Sequence, residues 1–174
     1  MSDPVLTSIA YSQFVADVRT LARHVTADAD WVADHLVGIG RGGLAPCTYL
    51  SHATHLPMLS IDYSSEVADF ATGLIAKLAM RTRDGARLIF VDDINDTGGT
   101  IERLRRELDD AGADMTHVRF AVLIDNIVSK AAVDYRARTI DRTVTKDWFV
   151  FPWEALAPTA DVVHDALLVP ERTA

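Results

Sequence analysis

Short apolar runs alternating with amphipathic stretches predict an α/β fold, a parallel sheet flanked by helices. Two observations carry the prediction. The runs His35–Ile39, Met58–Ile61, Arg87–Asp92 and His117–Ile124 read as buried strands, with helical patterns between most of them. Two of these runs lead into glycine-rich segments, Gly40-Arg-Gly-Gly43 and Asp96-Thr-Gly-Gly-Thr100. Both therefore fall at the carboxyl edge of the sheet, where such folds bind ligands.

Taken in order, Phe14, Val18, Leu21 and Val25 recur at spacings of three and four, which predicts an amphipathic helix from Ser12 to about Val25 with Ser12 as its N-cap. His35–Ile39 is a strand that ends in the tight loop Gly40–Gly43, and Leu44 to about His52 is helical. Met58–Ile61 is the next strand. From Tyr63 to Asp84 the pattern weakens into small, polar and charged residues around Gly73, which predicts a mobile excursion, with a helical option over Gly73–Met80. Arg87–Asp92 is the strongest strand signal, four apolar residues ending in acids. Thr100 to about Ala111 places Ile101, Leu104 and Leu108 on one helical face, with Gly112 as C-cap. His117–Ile124 is another strand, and Val133–Tyr135 a short further one. The chain has no internal repeat and no low-complexity linker.

A chain of 174 residues, 49% apolar and 24% charged, has the profile of one ordinary globular domain. The longest apolar run falls well short of the roughly 18 residues that a membrane span needs, and the N-terminus lacks the pattern of a secretory signal. One cysteine, Cys47, leaves no partner for an internal disulfide and suits a reducing compartment. The expectation is a cytoplasmic protein with no membrane association. Net charge is −8 with signs interspersed, so no basic face is available for nucleic acid. Small anions remain compatible, because backbone amides, an arginine and a bound metal can build a local anion site.

The segment Leu88–Thr100, LIFVDDINDTGGT, concentrates the chemistry. Its strand delivers Asp92 and Asp93 at the tip, where paired carboxylates can accept hydrogen bonds from vicinal hydroxyls, directly or through a divalent cation. Gly98 and Gly99 let a ligand approach the backbone. Amides of the turn and helix N-terminus point at an anion, and Thr97 and Thr100 add hydroxyl donors. Hydroxyl acceptors beside phosphate donors suit a sugar phosphate.

This segment resembles the phosphoribosyl-pyrophosphate (PRPP) signature of type I phosphoribosyltransferases. Ile39-Gly-Arg-Gly-Gly43 is similar to that family's pyrophosphate loop, about fifty residues upstream. Lys146-Asp-Trp-Phe-Val-Phe-Pro-Trp-Glu154 is similar to the W-x-x-x-P-W-[DE] segment of the 6-oxopurine branch, the hypoxanthine, guanine and xanthine salvage enzymes. The resemblance implies a Rossmann-like core over about 28–135 within a single domain covering 1–174. A small hood is implied over about 136–160, joined by N-terminal residues. The implied reaction is displacement of pyrophosphate from PRPP by a purine nitrogen, giving a nucleoside monophosphate. Phosphoribosyltransferases for another base, and a non-catalytic nucleotide sensor on the same fold, are the alternatives.

By the same resemblance, Asp92 and Asp93 hold the ribose hydroxyls and Mg²⁺, directly or through water. Asp96, Thr97, Gly98, Gly99 and Thr100 bind the 5′-phosphate, and Arg41, Gly42 and Gly43 bind pyrophosphate. Asp96 is the general base near the purine N7. Trp148 stacks on the base, with Phe149 beside it, and Trp153 packs in the core. One position departs from the pattern: Asn126 stands where those enzymes carry a lysine that donates to the purine 6-oxo group, with Lys130 nearby. Asparagine can donate and accept, so the identity of the base is left open. Tyr63–Asp84 is the expected lid, and Lys77, Arg81 and Arg83 are its candidates for touching pyrophosphate. A homodimer or homotetramer is expected. The histidine pair His52 and His55 reads as a helix end and Cys47 as a packed thiol.

Overall fold

The computed structural model describes residues 4–62 and 68–167. Five parallel strands form the main sheet in the order β3-β2-β4-β5-β6: β2 His35–Ile39, β3 Met58–Ile61, β4 Leu88–Asn95, β5 Val118–Asn126 and β6 Tyr135–Ile140. A separate two-stranded parallel sheet pairs β1, Leu6–Ser8, with β7, Trp148–Val150. The helices are α1 Tyr11–Ala27, α2 Gly40–Thr54, α3 Ala68–Arg83, α4 Gly99–Asp110 and α5 Thr159–Leu167.

The central strands are mainly apolar where both sheet faces are covered, as in Leu36–Ile39, Leu88–Val91 and Phe120–Ile124. Along β4, Ile89 and Val91 join a core with Phe14, Leu21, Cys47 and Leu50 of α1 and α2. Leu88 and Phe90 join the opposite core with Ile75 and Leu78 of α3 and Leu104 and Leu108 of α4. One strand thus stitches two hydrophobic layers by simple alternation. Cys47 is completely buried, and burial pushes its thiol up to about 12, which leaves it a packing residue. No described helix is long and apolar enough to cross a membrane.

Four expectations need correction. Helix α1 begins at Tyr11 with Ala10 as N-cap and no side-chain cap, so Ser12 lies inside the helix. The Gly40–Gly43 segment is not a loop that precedes a helix; α2 starts at Gly40 directly from the strand. The helix carries Pro46 in its second turn, where it has no N–H to donate to the Gly42 carbonyl. The expected excursion over Tyr63–Asp84 is helical from Ala68 to Arg83, while 63–67 lie outside the described residues. Ile75, Leu78 and Ala79 of α3 are buried, so this stretch is a layer of the fold. Finally, β6 runs over Tyr135–Ile140, displaced from the Val133–Tyr135 expected.

Candidate active site

Strand β4 extends three residues beyond the apolar run because it keeps pairing with β5 as far as Asn95 opposite Asp125. Asn95 is buried, and its amide donates to Asp125 Oδ1 (2.8 Å) and the Ala131 carbonyl (2.7 Å). Its Oδ1 accepts from Ser129 Oγ at 2.9 Å. These bonds brace the strand end from which the site is built.

The two adjacent acids divide between two depressions. Asp93 faces α2: a Cβ added at Gly42 would lie 2.7 Å from Asp93 Oδ2. It lines a cleft of about 770 Å³ with Arg41, Gly42, Trp153, Glu154 and residues of α5. Asp92 lines a smaller pocket of about 80 Å³ with Asp96, Thr97, Gly98, Gly99 and Thr100 at the start of α4. Successive strand residues leave opposite faces, so one dipeptide serves both compartments.

The small pocket is an amide-lined turn. Gly98 is the N-cap of α4 with φ +90°, and a Cβ there would meet the Ala131 nitrogen at 2.6 Å. Both the torsion and the crowding demand glycine. The first amides of α4 have no intrahelical acceptor, which makes the helix start an anion site. On the other side Gly43 packs so closely on β4 that an added Cβ would fall 2.1 Å from the Val91 carbonyl oxygen. This contact fixes the first turn of α2, which carries Arg41, against the strand that carries both acids.

Burial and the neighbouring Asp93 charge hold the Asp92 carboxyl well above the usual carboxylate range, although Asp92 Oδ1 accepts the Asp93 N–H at 3.0 Å. The folded state therefore binds this proton more tightly than the unfolded chain. The stability it confers is complete below the unfolded value of about 3.9 and falls as pH rises toward the raised folded value. Asp92→Asn in the ligand-free protein should accordingly raise the urea midpoint at pH 8, with the gain vanishing near pH 4. A gain that is the same at both pH values would contradict this origin.

Asp96 stands at the mouth of this turn, where its carboxylate is paired with Arg142: Nε to Oδ1 is 3.0 Å and Nη2 to Oδ2 is 3.2 Å. Asn126 is buried and donates from Nδ2 to the Asp96 carbonyl at 2.8 Å. Its Oδ1 accepts from the backbone N–H groups of Val128 (3.3 Å) and Arg142 (3.1 Å). These bonds give Asn126 a bracing task at the Asp96 turn. Lys130 is exposed, and its backbone N–H donates to the Thr97 carbonyl at 3.3 Å.

Trp148 is half-buried on β7, held by its N–H to the Val5 carbonyl (2.8 Å) and paired with Leu6. Phe149 turns the other way, against the core, with the Arg138 and Arg142 guanidiniums 5.6 and 4.8 Å from its ring centre. Phe149, expected beside Trp148 at the base, thus places its ring between the core and two guanidinium groups. Trp153 stacks on Phe151 (4.7 Å) and meets Phe14 edge-on (5.2 Å), as a core aromatic. Glu154 donates order to the same turn by accepting the Phe151 N–H at 2.7 Å, and burial raises its carboxyl, with Asp165 acting in the same direction.

The candidates from α3 do not join these residues. Lys77 and Arg81 line a groove with Met58, Leu59, Ser60, Leu74 and Leu78 at the β3 edge. Arg83 Nη1 donates to the Ala111 (3.0 Å) and Gly112 (2.8 Å) carbonyls, closing the C-terminal end of α4. His55 ends α2 in the left-handed conformation (φ 61°), which accounts for the histidine pair. Two residues of the site, Asn95 and Arg142, escape sequence reasoning. Asn95 lies inside the segment Leu88–Thr100, where its neighbours carry the recognisable chemistry, and Arg142 lies outside every motif.

Chemically, amide-lined turns on both sides of two carboxylates can hold a sugar phosphorylated at two positions, with its hydroxyls between. Comparison with known proteins agrees. The model of the phosphoribosyl transferase domain matches residues 8–157, and the chain belongs to the type I phosphoribosyltransferase family of PRPP-dependent transferases. HGPRTase-like protein 2 of Haloferax volcanii is 30% identical over 139 residues, 75% of this chain and 77% of that one. A xanthine-guanine phosphoribosyltransferase of Idiomarina loihiensis is 25% identical over 127 residues, covering 68% and 70% of the two chains. Among solved structures, a purine phosphoribosyltransferase from Pyrococcus horikoshii shares the fold with a TM-score of 0.63 at 24% identity, over 88% of this chain and 97% of that one.

Proposed function

We propose that this protein is a purine phosphoribosyltransferase of the salvage type. It transfers the 5-phosphoribosyl group of PRPP to hypoxanthine, guanine or xanthine and releases pyrophosphate. The observation that carries the reading is the division of Asp92 and Asp93 between the amide-lined turn at α4 and the Arg41 cleft. A ribose placed at that divide has its 5′-phosphate at the amides of Gly98–Thr100 and its pyrophosphate beside Arg41, Gly42 and Gly43. The relatives' names support a 6-oxopurine as acceptor.

The core over about 28–135 then binds PRPP, and the segment over about 136–160, with β1, forms the hood that presents Trp148 to the base. An aromatic face stacks on a planar heterocycle with a gain of about 1–3 kcal/mol. As the C1–pyrophosphate bond breaks, positive charge develops on the ribose and negative charge on the leaving group. Arg41 and the loop amides stabilise the latter. Asp96 accepts the proton from the incoming purine. Its carboxylate offers about four lone-pair positions, of which Arg142 takes two.

Asp92 and Asp93 also fit a magnesium ion. The penalty on Asp92, burial beside a like charge, is what a divalent cation removes. Among the described residues no cluster of three or more acidic, histidine or cysteine side chains forms a complete cage. One or two carboxylates plus substrate phosphates is the usual way Mg²⁺ is bound. When bound, it supplies charge neutralisation at the leaving pyrophosphate. The buried thiol of Cys47 accords with a reducing, cytoplasmic setting.

The test is pyrophosphate release from PRPP and Mg²⁺ with single bases. Turnover with at least one of hypoxanthine, guanine and xanthine is expected. Turnover confined to adenine or a pyrimidine would overturn the choice of base.

A further inference from the structure

Arg142 lies two residues beyond β6 and belongs to none of the motifs, yet its side chain is only 7% exposed. Besides the two bonds to Asp96, its Nη1 donates to the carbonyls of Thr145 (3.1 Å) and Asp147 (2.7 Å). Four of the five guanidinium N–H groups are thus committed. The Phe149 ring lies 4.8 Å away on one face. Through its backbone N–H on Asn126 Oδ1, and Asn126 Nδ2 on the Asp96 carbonyl, the three residues close a circuit. Asp147 extends it by accepting from Thr7 Oγ1 of β1 at 2.6 Å.

We propose that Arg142 is a positioning residue of the transfer reaction, fixing the Asp96 carboxylate toward the base and tethering the segment that carries Trp148 to the phosphate turn. The inference rests on the reading of Asp96 as proton acceptor. A buried arginine–carboxylate pair is weak evidence of stabilisation, since apolar residues of similar volume serve as well or better. What a guanidinium fork adds is orientation, because two parallel bonds fix the carboxylate plane as a single contact cannot. Asp96 needs that help: it sits in a turn beside two glycines, and its side chain keeps 14% of its surface open. Burial pushes Arg142 down to about 10, against the nearby Asp147, so it remains a cation at neutral pH. With four of its five donors occupied, Arg142 acts through Asp96 and the Thr145–Trp148 segment. It does not read the base itself.

Steady-state kinetics on Arg142→Met, Arg142→Lys, Asp96→Asn and the Met/Asn double variant test this, each corrected for the folded fraction by urea unfolding. Arg142→Met should lower kcat about 10²-fold, the scale of a displacement near 1 Å, and raise KM for the base more than for PRPP. In the Asp96→Asn background the same change should cost less than about 3-fold in kcat, because the group it positions no longer reacts. Arg142→Lys, a cation without the fork, should fall between. Equal kcat losses in both backgrounds, or a KM rise shared equally by base and PRPP, would overturn the proposal. Asp96→Asn with wild-type kcat would instead defeat the role of Asp96 itself. Should Arg142→Met not fold, Arg142→Lys carries the same two-background comparison.

Discussion

Asp96→Asn is expected to lower kcat by about 10²–10⁴-fold, the usual contribution of a positioned proton acceptor, while changing PRPP affinity far less. The asymmetry follows from the arrangement of the turn. In the proposed reading phosphate recognition there falls to backbone amides at the start of α4, and the Gly98 torsion at that N-cap does not depend on the Asp96 side chain. The carboxylate itself points to Arg142. Asparagine keeps one acceptor for the guanidinium but turns an N–H₂ toward the other donor, so some stability is lost with the activity. Pre-steady-state turnover and PRPP binding, measured on the same folded sample, separate the two. Equal loss of binding and turnover would show that Asp96 serves the phosphate and not the proton.

Gly43→Ala should destabilise the protein by about 3 kcal/mol or more, at the upper end of overpacking costs. The added methyl carbon would sit 2.1 Å from the Val91 carbonyl oxygen and 3.0 Å from its carbon. Both are backbone atoms of the central strand, hydrogen-bonded on both edges to β2 and β5, and cannot move aside without breaking the sheet. Gly42→Ala is the internal control. There the obstruction is the Asp93 carboxylate, a side chain that can rotate, so the stability cost should be much smaller. Urea unfolding of the pair checks this. Similar midpoints for the two variants would mean that α2 is free to slide along β4.

These two residues also show what the sequence makes legible. The strand positions were plain, because a sheet covered on both faces needs continuous apolar runs, and Leu88–Val91 supplies alternate side chains to both cores. The glycines after Ile39 were legible as a loop and a ligand approach. They were not legible as the first turn of a helix, because glycine's weak helical propensity is overruled here by contact with β4. Helix α3 is legible only in part, as the helical option over Gly73–Met80, because its buried face is short and its charged residues resemble a solvated excursion. The two carboxylates were visible as a pair, but their separation into different pockets depends on strand geometry. The bonds that Asn126 and Arg142 make at the Asp96 turn are not legible because Asp96 is distant from both in sequence. A lone arginine between Asp141 and Thr143 carries no local sign of being buried.

The pairing of β1 with β7 has a consequence for the order in which the molecule comes together. Leu6 lies opposite Trp148, so this small sheet closes a loop that contains the entire five-stranded core. Bringing together such remote segments is slow relative to local pairing, because chain entropy must be overcome before any contact forms. All five core strands and both glycine turns precede Trp148 in the chain, and hence in synthesis. The five-stranded sheet with both acids can be complete while the small sheet that holds Trp148 is still unformed. The contact that seals it is between nearly the first described residues and the last strand.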